Sequence, residues 1–190
     1  MTAEMRSMLS AIREGGEVMR KIVRDFIDFQ ALQDGRLTLQ AVRLDVNALA
    51  RQARLAHEGY ARSKNIRVLC ELENGLPDVS VDPDRIQQVL ANLLGNAIKF
   101  SPPGARVTLR SRREGQGVCL EVADEGPGLS PADLERVFVK YARLSAKPTG
   151  GEKSSGLGLS IAKMLVELHG GRIGVFNNPD RGATFWFTLP

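Results

Sequence analysis

Asn92-Leu93-Leu94-Gly95-Asn96-Ala97-Ile98-Lys99-Phe100 is the stretch on which the reading of this chain turns. It lies in a segment with the marks of a helix. Asp82-Pro83 opens that segment, with aspartate as N-cap and proline at the first helical position. Ser101-Pro102-Pro103-Gly104 closes it. Ile86, Val89, Leu90, Leu93, Leu94 and Ala97 trace one apolar face. Asn92, Asn96 and Lys99 are spaced four and three residues apart and share the opposite edge. A side-chain amide offers a neutral carbonyl oxygen, the hard ligand that Mg²⁺ prefers while it keeps several waters beside phosphates. Asn96 is therefore a candidate metal ligand. Lys99, one turn on, can neutralise a phosphate oxygen. The plain alternative is the solvated polar face of an amphipathic helix, and this helix alone does not decide between them.

Two stretches downstream extend the pattern. Asp124-Glu125-Gly126-Pro127-Gly128 follows an alternating apolar segment. A carboxylate at a strand end can accept a hydrogen bond from an exocyclic amine, and glycines let a flat base approach the backbone. A simple turn would also use these residues. Ser155-Gly156-Leu157-Gly158-Leu159 joins a loop rich in Gly, Ser, Lys and Pro to a helix. Backbone N–H groups at a helix start favour phosphate, and Ser154 and Ser155 add hydroxyl donors. The spacing is neither that of the dinucleotide fingerprint nor that of a P-loop. Each stretch is weak alone; in this order, over about seventy residues, they read as an ATP-binding domain.

The ordered set resembles the catalytic ATP-binding domain of sensor histidine kinases, within the superfamily that includes gyrase-, Hsp90- and MutL-type ATPases. The resemblance covers about residues 40–190. Asn92 to Phe100 is similar to the family's asparagine box, Asp124 to Gly128 to its first glycine box, and Ser155 to Leu159 to its second. Arg136-Val137-Phe138-Val139-Lys140-Tyr141-Ala142-Arg143 resembles the phenylalanine box that begins the ATP lid. Tyr141 stands where phenylalanine is more usual. Arg181-Gly182-Ala183-Thr184-Phe185 resembles the closing glycine-threonine motif, and Phe187-Thr188-Leu189-Pro190 a usual kinase C-terminus. The resemblance implies that Asn96 holds Mg²⁺, that Asp124 reads the adenine amino group, and that Lys99, Arg143 and Ser155 contact phosphates. Phe100, Gly126, Gly128, Leu129, Phe138, Tyr141, Gly156, Leu157, Gly158, Leu159 and Thr184 complete the implied nucleotide site. Asn92 replaces the glutamate that serves as general base in the gyrase-type branch. An amide cannot take a proton from water, which favours phosphotransfer over hydrolysis.

The implied fold is an α+β two-layer sandwich of the Bergerat type, a mixed sheet packed on three helices, preceded by a long N-terminal helix. Residues 3–33 carry Leu9, Ile12, Met19, Ile22, Val23, Phe26 and Ile27 at three- and four-residue steps. Gly15-Gly16 marks a possible bend, and Asp34-Gly35 a stop. Residues 1–38 resemble the second helix of the family's dimerisation and phosphoacceptor hairpin, and residues 39–190 the catalytic domain. The long apolar stripe needs a partner, and self-association is the expected one. Further expected elements are a helix from Asp45 to Ala61, strands at Ile66–Leu72, Val79–Val81, Val107–Arg112 and Val118–Ala123, a short helix after Ser130-Pro131, a helix at Gly158–Leu168, and strands at Arg172–Phe176 and Ala183–Leu189. The loop from Val139 to Ser155 should close over ATP and vary without it.

The acceptor histidine is missing from the expected hairpin. The chain has two histidines. His169 ends a helix, where a capping role is the simple account, and His57 lies on a polar helix of the domain. The expected activity is transfer of the ATP γ-phosphate to a histidine outside this chain, on the same longer protein or on a partner, with a response regulator downstream. An anti-sigma-type serine kinase, or a pseudokinase that serves as an interaction module, is the alternative. The bulk properties agree with a globular domain: 43% hydrophobic, 25% charged, net charge +4. That balance does not argue for nucleic acid. No apolar run reaches the length of a membrane span, and Cys70 and Cys119 fit buried thiols in a reducing compartment. The expected setting is cytoplasmic, in a soluble protein or in the cytoplasmic part of a membrane-bound sensor.

Overall fold

The computed structural model describes residues 2–142, 144–152 and 155–190. The first helix, α1 (Ala3–Gln33), starts at Thr2, whose hydroxyl accepts the Met5 N–H. It continues past Gly15 and Gly16, so the glycine pair does not end it. Its end is the doubly bonded C-terminal motif that a following glycine allows: the Gly35 N–H donates to the Leu32 carbonyl and the Arg36 N–H to that of Ala31. Among the described residues, the last turns of α1 pack on the rest of the chain. Phe29 is buried, and Asp28 accepts hydrogen bonds from Arg85 and Gln88.

The remaining elements are β1 (Val42–Leu44), α2 (Val46–Ser63), β2 (Arg67–Leu72), β3 (Val79–Val81), α3 (Pro83–Phe100), β4 (Arg106–Glu114), β5 (Gly117–Ala123), α4 (Pro131–Arg136), α5 (Gly158–Leu168), β6 (Ile173–Asn177) and β7 (Ala183–Leu189). Five strands form a mixed sheet in the order β2-β4-β5-β7-β6, with β2 and β4 parallel and the other pairs antiparallel. Helix α3 packs between α2 and α5, and all three lie on the sheet. Leu90, Leu93 and Leu94 of α3 are fully buried, as are Leu109 and Leu120 of the sheet and Leu165 of α5. This is the expected two-layer sandwich.

Strand β1 was not anticipated. It pairs antiparallel with β3 in a separate two-stranded ribbon, and three residues are too few to show alternation. The ribbon sets up two helix starts. Asp45 caps α2 through the Asn47 N–H. Asp82 caps α3 through the N–H groups of Asp84 and Arg85, and its second oxygen accepts from the Gln40 N–H. No helix of the described residues is long and apolar enough to cross a membrane.

Candidate nucleotide site

Three chain segments converge at one end of the sandwich: the polar edge of α3, the end of β5 and the start of α5. Between them lies a small, partly open cleft with mostly apolar walls. Asn96, Phe100, Asp124, Gly128, Leu129 and Leu159, all singled out in the sequence, line it.

Asp124 follows β5 directly and is buried. Its Oδ1 accepts the N–H groups of Gly126 at 2.8 Å and Ala183 at 3.2 Å. No described contact uses Oδ2, so the carboxylate keeps an acceptor for a flat N–H-bearing ring. Burial pushes the Asp124 carboxyl above the usual range, and the two N–H bonds only partly oppose this. Gly182 explains the tightness of the corner. Its φ is +82°, and a Cβ there would fall on the Asp124 carbonyl oxygen.

The edge of α3 is not a solvated face. Asn92 and Lys99 are both buried. A Cβ on Gly158 would lie 3.0 Å from Asn92 Oδ1, so the glycine lets the start of α5 close against α3. The Lys99 ammonium lies 5.3 Å from the centre of the Phe100 ring. Asn96, between them, lines the cleft, and its side-chain carbonyl is a hard oxygen of the kind that could hold a hydrated, phosphate-bound Mg²⁺. Among the described residues no group of three or more His, Cys, Asp and Glu side chains could hold a metal.

The other sequence-selected residues support the cleft more than they line it. Phe138 packs edge-on against Phe185, centroids 6.3 Å apart, and Phe185 forms the wall. Leu157 is buried in the core. Thr184 turns its hydroxyl to Asn178 at 2.6 Å, and its neighbour Ala183 reaches the cleft. Tyr141 is exposed with φ +58°, and its N–H donates to the Gly156 carbonyl, joining the two ends of the lid. The Ser155 hydroxyl donates to Asp25 of α1 at 3.0 Å and accepts the Leu157 N–H. Arg143 and Ser154 lie outside the described residues.

Sequence reasoning missed several supports. Leu144, Ala146 and Pro127 complete the apolar walls. Asn177 clamps the Leu129 backbone from both sides, accepting its N–H and donating to its carbonyl. Glu125 ties Arg106 to Arg181 beside the first glycine box. Glu125 and Arg181 stood in motifs singled out in the sequence, but their meeting with Arg106 depends on how the strands are arranged. His169 donates from Nδ1 to the Leu165 carbonyl at 2.7 Å and accepts the Asp82 N–H at Nε2, so both ring nitrogens are engaged and the ring is buried.

Residues 81–190 match the family described as histidine kinase-, DNA gyrase B- and HSP90-like ATPases, and the chain belongs to it. Its relatives place it in the histidine-kinase branch. It is 33% identical over 192 residues to the circadian input-output histidine kinase CikA of Synechococcus elongatus, covering 100% of this chain and 26% of that protein. Full-length ShkA in complex with AMPPNP matches with TM-score 0.84 and 33% identity over 100% of this chain and 39% of that one. The nucleotide-free catalytic domain of histidine kinase ThkA matches with TM-score 0.70 and 30% identity over 80% of this chain and 95% of that domain. The chain thus spans about a quarter of CikA. These likenesses favour the histidine-kinase reading over an anti-sigma-type serine kinase.

Proposed function

We propose that this chain binds Mg-ATP and transfers the γ-phosphoryl group to a histidine of a protein segment outside it. The bond from the γ-phosphorus to the β–γ bridging oxygen breaks, a bond to an imidazole nitrogen forms, and ADP leaves. The observation that carries the reading is Asp124, a buried carboxylate fixed through one oxygen at the wall of an apolar cleft. In this reading Oδ2 accepts from the adenine amino group. Asn96 holds the metal, Lys99, Ser155 and Arg143 meet phosphate oxygens, and Gly126, Gly128, Gly156 and Gly158 let backbone approach the ligand. Asn92 supports α5 and supplies no general base. Positioning and charge neutralisation then account for the catalysis. The engaged ring of His169 supports an acceptor elsewhere.

In the same reading residues 1–38 are the second helix of a dimerisation hairpin and residues 39–190 the catalytic domain. The working unit is a cytoplasmic homodimer that passes phosphate to a response regulator. The test is calorimetric titration of the full chain with ATP, with and without Mg²⁺, beside Asp124→Asn and Asn96→Ala. Asp124→Asn should weaken adenine-nucleotide binding about 10- to 100-fold. Asn96→Ala should remove the gain that Mg²⁺ gives. A folded wild-type sample that ignores ATP, or an Asp124→Asn protein that binds it normally, sinks the assignment.

A further inference from the structure

The middle of the lid is fixed by a polar cluster outside the family's nucleotide motifs. Lys64, the C-cap residue of α2, spends its ammonium on three acceptors: the Lys99 carbonyl at 2.9 Å, Thr149 Oγ1 at 2.7 Å and Glu152 Oε1 at 2.9 Å. Tyr60, one turn earlier, donates its hydroxyl to the same Glu152 oxygen at 2.7 Å. The Gly150 N–H donates to the other oxygen at 3.0 Å. The Thr149 N–H also donates to the Lys99 carbonyl, and its hydroxyl lies 2.9 Å from the Ser101 carbonyl.

An exposed ion pair would contribute little, but here the side chains of Lys64 and Glu152 are only 11% and 26% exposed. Burial pushes the Glu152 carboxyl up, yet the Tyr60 and Lys64 hydrogen bonds and backbone N–H bonds bring it down to about 2. Burial and the adjoining carboxylate push the Tyr60 hydroxyl well above its ordinary range. A loop rich in Gly, Ser and Lys thus carries one well-satisfied anchor, some ninety residues in sequence from the helix that holds it.

We propose that Tyr60, Lys64 and Glu152 form a latch that fixes the middle of the lid to the end of α3, and that Lys64 is a positioning residue for the terminal phosphates. The inference rests on the reading of Lys99 as a phosphate ligand. One feature points to the phosphate end: the carbonyl that Lys64 and Thr149 hold is that of Lys99 itself, so the latch sets the last turn from which the Lys99 side chain leaves. An anchored loop loses less conformational freedom on closing than one hinged only at its ends. The latch therefore lengthens the stay of ATP and does nothing for a ligand without phosphates.

The experiment measures ATP dissociation by stopped-flow displacement and adenosine affinity by calorimetry, on the full chain and its Tyr60→Phe, Glu152→Gln, Lys64→Met and Lys64→Met/Glu152→Gln variants. Glu152→Gln and Lys64→Met should each speed ATP release about tenfold, and Tyr60→Phe about threefold, the scale of losing charged and neutral hydrogen bonds. The double variant should fall short of the sum of the two single effects, because both remove the Lys64–Glu152 contact. Adenosine affinity should stay within about twofold throughout. Unchanged or slower ATP release in variants that hold adenosine normally overturns the latch, and so does an equal loss of adenosine, which would be general loosening. Should Lys64→Met melt early, Tyr60→Phe and Glu152→Gln decide alone. A wild-type chain that binds neither ligand removes the nucleotide-site reading itself, and the latch with it.

Discussion

Asp124 occupies a position that disfavours its own charge. Burial raises its carboxyl above the usual range despite two backbone N–H bonds to Oδ1. For a carboxylate whose folded pKa is raised, the native state holds the proton more tightly than the unfolded chain does. Its contribution to stability is then greatest below the unfolded pKa and falls as pH rises through the folded one. At neutral pH the ionised group therefore costs stability, and the acceptor it presents to a ligand offsets that cost in function. Asp124→Asn keeps an Oδ1 for the Gly126 and Ala183 N–H groups and removes the buried charge. Its melting temperature at pH 7 should equal or exceed that of the wild type. Its adenine-nucleotide affinity should fall about 10- to 100-fold, because an amide N–H would face the adenine amino group. A calorimetric melt beside a titration checks both halves; a large drop in melting temperature would show that Asp124 is chiefly structural. The place of this residue, a carboxylate at a strand end followed by two glycines, was legible in the sequence because it depends on local order. The supports of the same corner were not. Gly182 and Asn178 reach Asp124 from more than fifty residues away, and Asn177 reaches Leu129 across 48.

Helix α3 is the element that turns local sequence into a site, and its start determines where its edge points. Asp82 caps it with Oδ1 and holds the Gln40 N–H with Oδ2. The Asp82 N–H is in turn taken by His169 at the end of α5. One residue thus joins the linker before β1, the start of α3 and the end of α5. Asp82→Ala should cost about 1–2 kcal/mol for the cap, with a further loss for the stranded Gln40 N–H. Asp82→Asn should recover most of it, since an amide oxygen still accepts from N2 and N3. Urea unfolding of the three proteins checks this; equal midpoints for Ala and wild type would remove the cap from the account. At this scale the sequence was read well where periodicity and caps spoke, as in Asp82-Pro83, Ser130-Pro131 and Asp45. It was read less well where pairing decided: β1 is made by its partner β3. The loop over Ser145–Ser155 has no period, so its attachments to Tyr60, Lys64 and Asp133 could not be foreseen from composition.

At the scale of the molecule, α1 is the part whose sequence is least explained by the chain itself. Met5, Ile12, Met19 and Phe26 recur every seven residues, and all are about half or more exposed, as are Leu9 and Val23 between them. That seven-residue interval is the pattern of a two-helix seam, and Gly16 falls on the same seam four residues after Ile12. The last turns of α1 are engaged by Arg85, Gln88 and Ser155, and the exposed apolar residues of the earlier turns suit a contact with another chain. Burying a side chain the size of Leu, Ile or Met contributes about 1.5–3 kcal/mol, so a few paired positions suffice to hold two copies together at micromolar concentration. Sedimentation equilibrium of the full chain should therefore show a dimer. Ile12→Lys with Met19→Lys should shift it to monomer, because two charges would face their copies across the seam. Neither residue is near the cleft, so adenosine affinity should stay within about twofold of the wild type. A double variant that remains dimeric would place the interface elsewhere on the molecule. A wild-type chain monomeric at every accessible concentration would mean that the stripe needs a helix other than its own copy.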